Sequence, residues 1–187
     1  MKIIEATKED ARLIGQVVVE AVGEEITAGF AGDRSRADVV ELFTRLAARE
    51  DSQYSYRNTL KAVDDSGNPM GFIVGYDGAQ LHELREAFFE EARLVLGREM
   101  SGKMADECQP DEFYLDSLAV FPQYRGRGIA GALINAMAAR AARHGKPLGL
   151  LCDKTNDRAR RLYEWLGFRK VGETPFAWEI MDHLVKM

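Results

Sequence analysis

The sequence predicts a single α/β domain in which a mixed, largely antiparallel sheet carries helices on both faces. Three observations predict it. Two strand-like runs, at about 54–63 and 70–76, flank the turn-forming residues Asp64, Asp65, Ser66, Gly67, Asn68 and Pro69, the pattern of an antiparallel hairpin. The run at 113–120 is apolar without clean alternation, as expected for a central strand covered on both faces. Segments with apolar residues at helical spacing lie between and after these strands. With 187 residues, 46% hydrophobic and 29% charged, the chain is long enough for one domain, 1–187, with a real core. No repeat, low-complexity tract or linker divides it.

Residues 2–6 read as a short strand. Thr7 and Asp10 then give a capping signal, followed by Ile14, Val17, Val18, Ala21 and Val22 at helical spacing. Gly23 and Gly29 bracket an expected loop leading to Phe30. Ser35 and Asp38 repeat the cap, and Val39, Leu42, Phe43, Leu46 and Ala47 line a second helix. After the hairpin, Leu81, Leu84, Phe88, Ala92 and Val95 predict a third helix ending at Gly97. A polar stretch, 98–110, leads to the central strand. Ile129, Leu133, Ile134, Met137 and Ala141 give the next helix its buried stripe, and Gly145 and Pro147 stop it. A buried strand is expected at 148–151. Ala159, Leu162, Tyr163 and Leu166 mark a last helix capped by Gly167, and closing strands are expected at about 169–172 and 176–181.

The net charge of −5 disfavours a nucleic-acid partner, because only 125–143 is locally basic. Cys108, Cys152 and three scattered histidines form neither a disulfide framework nor a zinc pattern, so no metal is expected. No apolar run approaches the length of a membrane span, and no leader is apparent. The expectation is a soluble, cytoplasmic protein without a membrane partner.

The most informative stretch follows the central strand. Gly126 and Gly128 let the backbone approach a ligand closely, and the helix after them presents unpaired N–H groups and a positive dipole end. That combination suits the pyrophosphate of a nucleotide cofactor. Residues 126–131 also match G-x-G-x-x-G, with Asp153 near where a ribose-binding acid belongs, so an NAD-binding Rossmann oxidoreductase is a rival. Three features oppose it. Residues 121–125 separate the strand from the first glycine, too little chain follows Asp153, and a hairpin rather than βαβ units precedes the motif.

The run Gln123-Tyr124-Arg125-Gly126-Arg127-Gly128 resembles the Q/R-x-x-G-x-G/A signature of the GNAT N-acetyltransferase superfamily. The preceding LDSLAVFP resembles that family's central strand. Asn156, Ala159 and Tyr163, followed by Leu166-Gly167-Phe168, resemble its N-x-x-A-x-x-x-Y and L-G-F hallmark. The resemblance covers about 114–172, within an expected cofactor-binding core of about 113–172. It implies the GNAT acyl-CoA N-acyltransferase fold and transfer of an acetyl group from acetyl-CoA to a primary amine within a ternary complex. A non-catalytic acyl-CoA sensor or regulatory module is the reading from another class. The implied partner is a small-molecule or peptide amine, with a homodimer as candidate assembly.

By the same resemblance, backbone donors of Gln123, Tyr124, Arg125, Gly126, Arg127, Gly128, Ile129 and Ala130 hold the pyrophosphate, and Leu118, Ala119 and Val120 pair with the pantetheine arm as an added strand. Asn156 matches a residue touching that arm and is equally a helix cap. Tyr163 matches the tyrosine facing the thioester sulfur. Since tyrosine (pKa ~10) is a weaker acid than a thiol (~8.5), a hydrogen bond to the departing thiolate suits it better than full proton transfer. Asp116 sits in an apolar strand, where a carboxylate is costly unless paired or used, and is either the general base or a structural hydrogen-bond partner. Cys152 has no histidine nearby in sequence and reads as structural. Residues 22–50 and 78–110 are the expected acceptor-side walls. Glu83, Glu86, Glu90, Glu91, Asp106, Glu107, Asp111 and Glu112 make the second of these acidic, read as a solvated face in preference to an acidic funnel for a cationic amine.

Overall fold

The computed structural model describes every residue of the chain except Lys103 and Trp178. Its strands are β1 (Lys2–Glu5), β2 (Thr59–Val63), β3 (Pro69–Asp77), β4 (Phe113–Val120), β5 (Leu148–Cys152), β6 (Arg169–Phe176) and β7 (Glu179–Lys186). They form one sheet in the order β1-β2-β3-β4-β5-β7-β6. Only β4 and β5 run parallel, so the sheet is mixed and largely antiparallel. The helices are α1 (Ala11–Ala31), α2 (Arg36–Ala48), α3 (Leu81–Leu96), α4 (Ile129–Arg143) and α5 (Asp157–Trp165).

The helical stripes divide between two apolar layers. Ile14 and Val18 of α1, Leu42 and Phe43 of α2 and Phe88 of α3 pack with Phe72 and Val74 of β3 on one face. Leu133, Ile134 and Met137 of α4 pack with Ile73, Leu115 and Leu150 on the other, joined by Leu162 and Tyr163 of α5. The capping signals act as expected: Ser35 N donates to Asp38 Oδ2 at 2.9 Å, and Asp38 N returns a bond to Ser35 Oγ at 3.2 Å.

Three expectations are corrected. The loop at 23–29 is helix: α1 breaks at Gly23 (φ 82, ψ 173) and resumes to Ala31. Ile26 and Phe30 keep an apolar face one turn apart, and Thr27 Oγ1 donates to the Gly23 carbonyl at 2.6 Å, so the glycine kinks the helix instead of ending it. The strand expected from 54 begins at Thr59, because Ser55 folds back on its own backbone: its Oγ accepts from Arg57 N at 3.2 Å and donates to the Arg49 carbonyl at 2.5 Å. The expected closing strands at 169–172 and 176–181 are both displaced: β6 runs on to Phe176, and β7 begins only at Glu179 and continues through Asp182 and His183. These polar residues disguise a buried strand. Asp182 pairs with Arg160 (2.7 Å) and Lys170 (2.8 Å), and His183 with Glu112 (2.8 Å). Trp178, inside the expected 176–181 strand, lies outside the described residues, as does Lys103 of the 98–110 stretch.

The His183–Glu112 pair ties the start of β4 to β7 across β5. Both residues are buried, and Glu112 Oε1 also accepts from Gln109 N at 2.9 Å. Glu112 lies over Gly149, where an added Cβ would sit 2.0 Å from Oε2. Gly149→Ala is therefore expected to lower stability by about 2–3 kcal/mol in chemical denaturation. Pairing it with Glu112→Ala relieves the overlap at the cost of the Glu112–His183 hydrogen bond, so the two effects will not add.

Candidate active site

β4 and β5 pair only at Phe113–Leu148 and Tyr114–Gly149. Beyond Tyr114 they part, because β5 stays with β7 along all five of its residues. On its other side β4 is bulged: Val74 pairs with Ser117 and Gly75 with Leu115, leaving Asp116 as the extra residue. A bulge bends its strand and re-aims a side chain. A cleft of ≈ 820 Å³ opens at the parting, lined by Asp116, Leu118, Ala119 and Val120 from β4.

One end of the cleft is bounded by the glycine loop and the starts of α4 and α5. Gly126 and Gly128 hold φ of 75° and 77°, with open space where a side chain would stand. Ala132 N makes the first bond of α4, to the Gly128 carbonyl at 3.1 Å. The N–H groups of 126–131 precede that bond and are left as donors at the helix N-terminus. Tyr124, Gly126, Gly128, Ile129 and Ala130 line the cleft; Gln123 and Arg127 are exposed and lie outside its lining. Arg127 Cζ sits 5.6 Å from the Tyr124 ring centroid. Arg125 lines the cleft but is engaged, donating from Nε to the Val120 carbonyl at 3.0 Å and pairing with Glu20 of α1. Asn156 caps α5, accepting from Ala159 N at 3.0 Å, and also faces the cleft.

Tyr163 and Asp116 border the same cleft. Tyr163 packs on Phe168 with ring centroids 5.5 Å apart. Burial, reinforced by Cys152, pushes its phenol up to about 12. Burial likewise pushes Asp116 up to about 7, against the Ser117 hydroxyl that donates to its Oδ1 at 2.7 Å. Repulsion from Glu107 adds to the rise and the Arg85 charge opposes it. Cys152 is buried at the cleft wall, and its thiol is shifted upward by that burial, away from thiolate reactivity. No group of three metal-ligating side chains stands together among the described residues. No described helix is long and apolar enough to cross a membrane.

Of the acidic residues at 78–112, only Glu107 lines the cleft. Glu90 and Glu91 pair with Arg49, and Glu91 also with Arg45 at 2.6 Å. The carboxylates that do reach the cleft come mostly from α1 (Glu20, Glu24, Glu25) and β7 (Glu179). Sequence reasoning missed these, together with Tyr54 and Tyr114. Two-residue spacing from Asp116 pointed to Tyr114, but a bulge obscures strand parity. Glu107 is fixed from three directions: its Oε1 accepts from Gln53 Nε2 (2.8 Å) and Tyr76 OH (2.9 Å), and Arg85 binds Oε2.

A parallel strand pair that parts over a glycine loop and helix N-terminus defines an acyltransferase fold. A profile described as Acetyltransferase (GNAT) family matches residues 19–168, and the chain belongs to that family. A solved acetyltransferase is similar with a TM-score of 0.81 and 28% identity, over 100% of this chain and 98% of that chain. An N-acetyltransferase from Staphylococcus aureus Mu50 gives 0.80 at 22% identity, over 99% and 100%. A structure described as histone acetyltransferase HPA2 and related acetyltransferase, from Corynebacterium glutamicum ATCC 13032, gives 0.70 at 22%, over 99% and 94%. No curated protein matches the chain. Family and fold support acetyl transfer as the general chemistry and set the dinucleotide-binding reading aside.

Removing Glu107 leaves the buried Arg85 guanidinium without its main counter-charge. Glu107→Ala is expected to cost about 3–5 kcal/mol in chemical denaturation, with Arg85→Met restoring much of it. The same variant removes a repulsion from Asp116, so the Asp116 titration followed by carbon NMR moves to lower pH.

Proposed function

We propose that this protein is an N-acetyltransferase that moves an acetyl group from acetyl-CoA directly to a primary amine in a ternary complex. One observation carries the reading: the edge of β4 loses its strand partner at the point where Asp116 and Tyr163 border a common cleft. An extended pantetheine arm fits such an edge as an added strand along Leu118, Ala119 and Val120. The donors left by the glycine loop, from the backbone at 126–130, suit its diphosphate, whereas Tyr124 N and Arg125 N are already bonded to the Phe121 and Pro122 carbonyls; Asn156 stands beside the arm's path.

In this reading the amine nitrogen attacks the thioester carbonyl, the new C–N bond forms and the C–S bond breaks. The nitrogen's proton passes to Asp116, directly or through water, and the sulfur departs as thiolate beside the Tyr163 hydroxyl. A phenol at about 12 facing a thiol of ~8.5 would lose about 5 kcal/mol on full transfer, so Tyr163 acts as a hydrogen-bond donor. Asp116 at about 7 can accept a proton near neutrality, as its ionised form dominates above that pH.

Thiol release with acetyl-CoA and a panel of amines tests the proposal. Turnover supports it, while acetyl-CoA binding without release on any amine supports the sensor reading instead. The value of kcat/KM is expected to fall as pH drops through about 7. Asp116→Asn should abolish that dependence and lower kcat/KM by about 10²–10³. Tyr163→Phe should lower kcat by roughly 10² with little change in KM for acetyl-CoA. Full activity in that variant would remove Tyr163 from the mechanism.

Asp116 also makes a stability prediction. Its folded pKa, about 7, lies above the ordinary 3.8, so its contribution is fully present below 3.8, declines as pH rises, and is lost above about 7. Asp116→Asn should therefore be more stable than the parent at pH 8, by up to ~4 kcal/mol, while being less active.

A further inference from the structure

The two ends of the cleft differ in chemistry, and the difference bears on the acceptor. Tyr163, Ala159 and Leu162 pack against the apolar layer under α4, at the end bounded by the glycine loop. Phe30, Tyr54, Met104, Phe176 and Met181 also line the cleft, yet they belong to the opposite layer, beneath α1, α2 and α3. The cleft therefore runs from one face of the sheet to the other, through the gap between β4 and β5.

The far end has three aromatic rings and two methionines in its walls. Tyr54 and Phe30 are themselves held by other rings: Tyr54 stands edge-on to Phe43 at 4.7 Å, and Phe30 to Phe88 at 5.6 Å. Such walls are set before a ligand arrives and recognise apolar or aromatic bodies. Carboxylates at this end include those of Asp116, Glu107, Glu24 and Glu179. Glu107 is neutralised by Arg85. The cationic residues in the described lining are Arg125 and Arg158, and both belong to the other end, in the glycine loop and at the start of α5. An incoming group thus meets apolar surface with the Glu24 and Glu179 carboxylates beside it.

Resting on the acetyl-transfer reading, we infer that the acceptor is a primary amine carried on an aromatic or otherwise apolar body that bears no acidic group. The ammonium is drawn by the carboxylates, and the body is held by Phe30, Tyr54, Met104, Phe176 and Met181. A carboxylate or phosphate on that body would face Glu24 and Glu179 with like charge and lose affinity for this site. Free amino acids, acidic peptides and sugar phosphates are disfavoured on the same ground.

The test compares benzylamine, para-(aminomethyl)benzoate and ethylamine, which share an aliphatic primary amine and differ in the acid and in the ring. Benzylamine is expected to exceed each of the others in kcat/KM by at least about tenfold. Combining Glu24→Gln with Glu179→Gln should narrow the gap to the benzoate and leave the gap to ethylamine. Phe176→Ala should do the reverse. Binding to the CoA-loaded protein, measured by calorimetry, should follow the same ranking and does not depend on turnover. Equal or better use of the benzoate, or of ethylamine, overturns the inference while leaving acetyl transfer intact. Absence of thiol release with all amines overturns the transfer reading, and the calorimetric ranking then still decides whether the far end selects such an amine.

Discussion

The parting of β4 from β5 is the constraint on which the site depends. A parallel pair hydrogen-bonded along its whole length would close the sheet and leave no cleft. Two features prevent that. β5 is committed to β7 through all five of its residues, and β4 gains one extra residue, Asp116, in its pairing with β3. At the other end the buried Glu112–His183 pair holds β4 against the β5–β7 unit. Held at one end and bent in the middle, β4 diverges over its second half. The bulge that helps part the strands also brings Asp116 to the cleft, so the opening and its carboxylate arise from a single backbone irregularity.

Charge is distributed so that the main chain, more than the side chains, is left to meet an anion. In the locally basic stretch at 125–143 two of the four arginines are engaged: Arg125 pairs with Glu20, and Arg140 with Glu5 and the Arg57 carbonyl. The mouth presents a row of amide donors at the start of α4, which need no side chain and no rearrangement, with Arg158 in the lining beside them. The Glu20–Arg125 pair also joins α1 to the glycine loop, one helical turn before the break at Gly23. Beyond that break α1 becomes a wall of the far end, and its last turn is secured by Arg98, whose Nη1 binds the Phe30 carbonyl at 2.7 Å. A helix interrupted by a left-handed glycine can thus serve both ends of one cleft.

Much of this was legible in the sequence wherever a local rule and the tertiary context agree. Capping residues, apolar stripes and turn glycines located the five α-helices among the described residues, and the glycine loop was placed because a backbone at positive φ favours glycine whatever surrounds it. Legibility failed where long-range pairing overrode local chemistry. Asp182 and His183 look unsuited to a buried strand until Arg160 and Lys170 arrive to neutralise the first and Glu112 to hydrogen-bond the second. Gly23 looks like a terminator because the threonine that satisfies its carbonyl lies a turn later. The bulge at Asp116 carries no residue-level signal, since it exists only in the register between two strands. The far end of the cleft was least visible, as it is assembled from α1, Tyr54 ahead of β2, Met104, β6 and β7, five segments that meet only in the fold.

Burial acts on Tyr163 and Asp116 in the same direction but with opposite consequences, and this orders the proposed reaction. Raising the phenol to about 12 keeps it protonated, and raising the carboxyl to about 7 keeps it available as a base without making it a strong one. A base near 7 cannot strip an ammonium of pKa ~10.4 without a cost of roughly 4–5 kcal/mol. The far end lowers that cost in stages. Carboxylates at the rim favour the charged amine on arrival, whereas the aromatic walls deeper in disfavour a desolvated cation and so lower its pKa as it advances. Once the C–N bond forms, the nitrogen carries positive charge beside an electron-poor carbon and becomes a far stronger acid. The ammonium's first proton leaves to water as its pKa falls, so that a neutral amine attacks, and Asp116 takes the second proton after the C–N bond has formed. The thiolate can leave as an anion, because its stabilisation comes from a hydrogen bond that the neutral phenol is held ready to give.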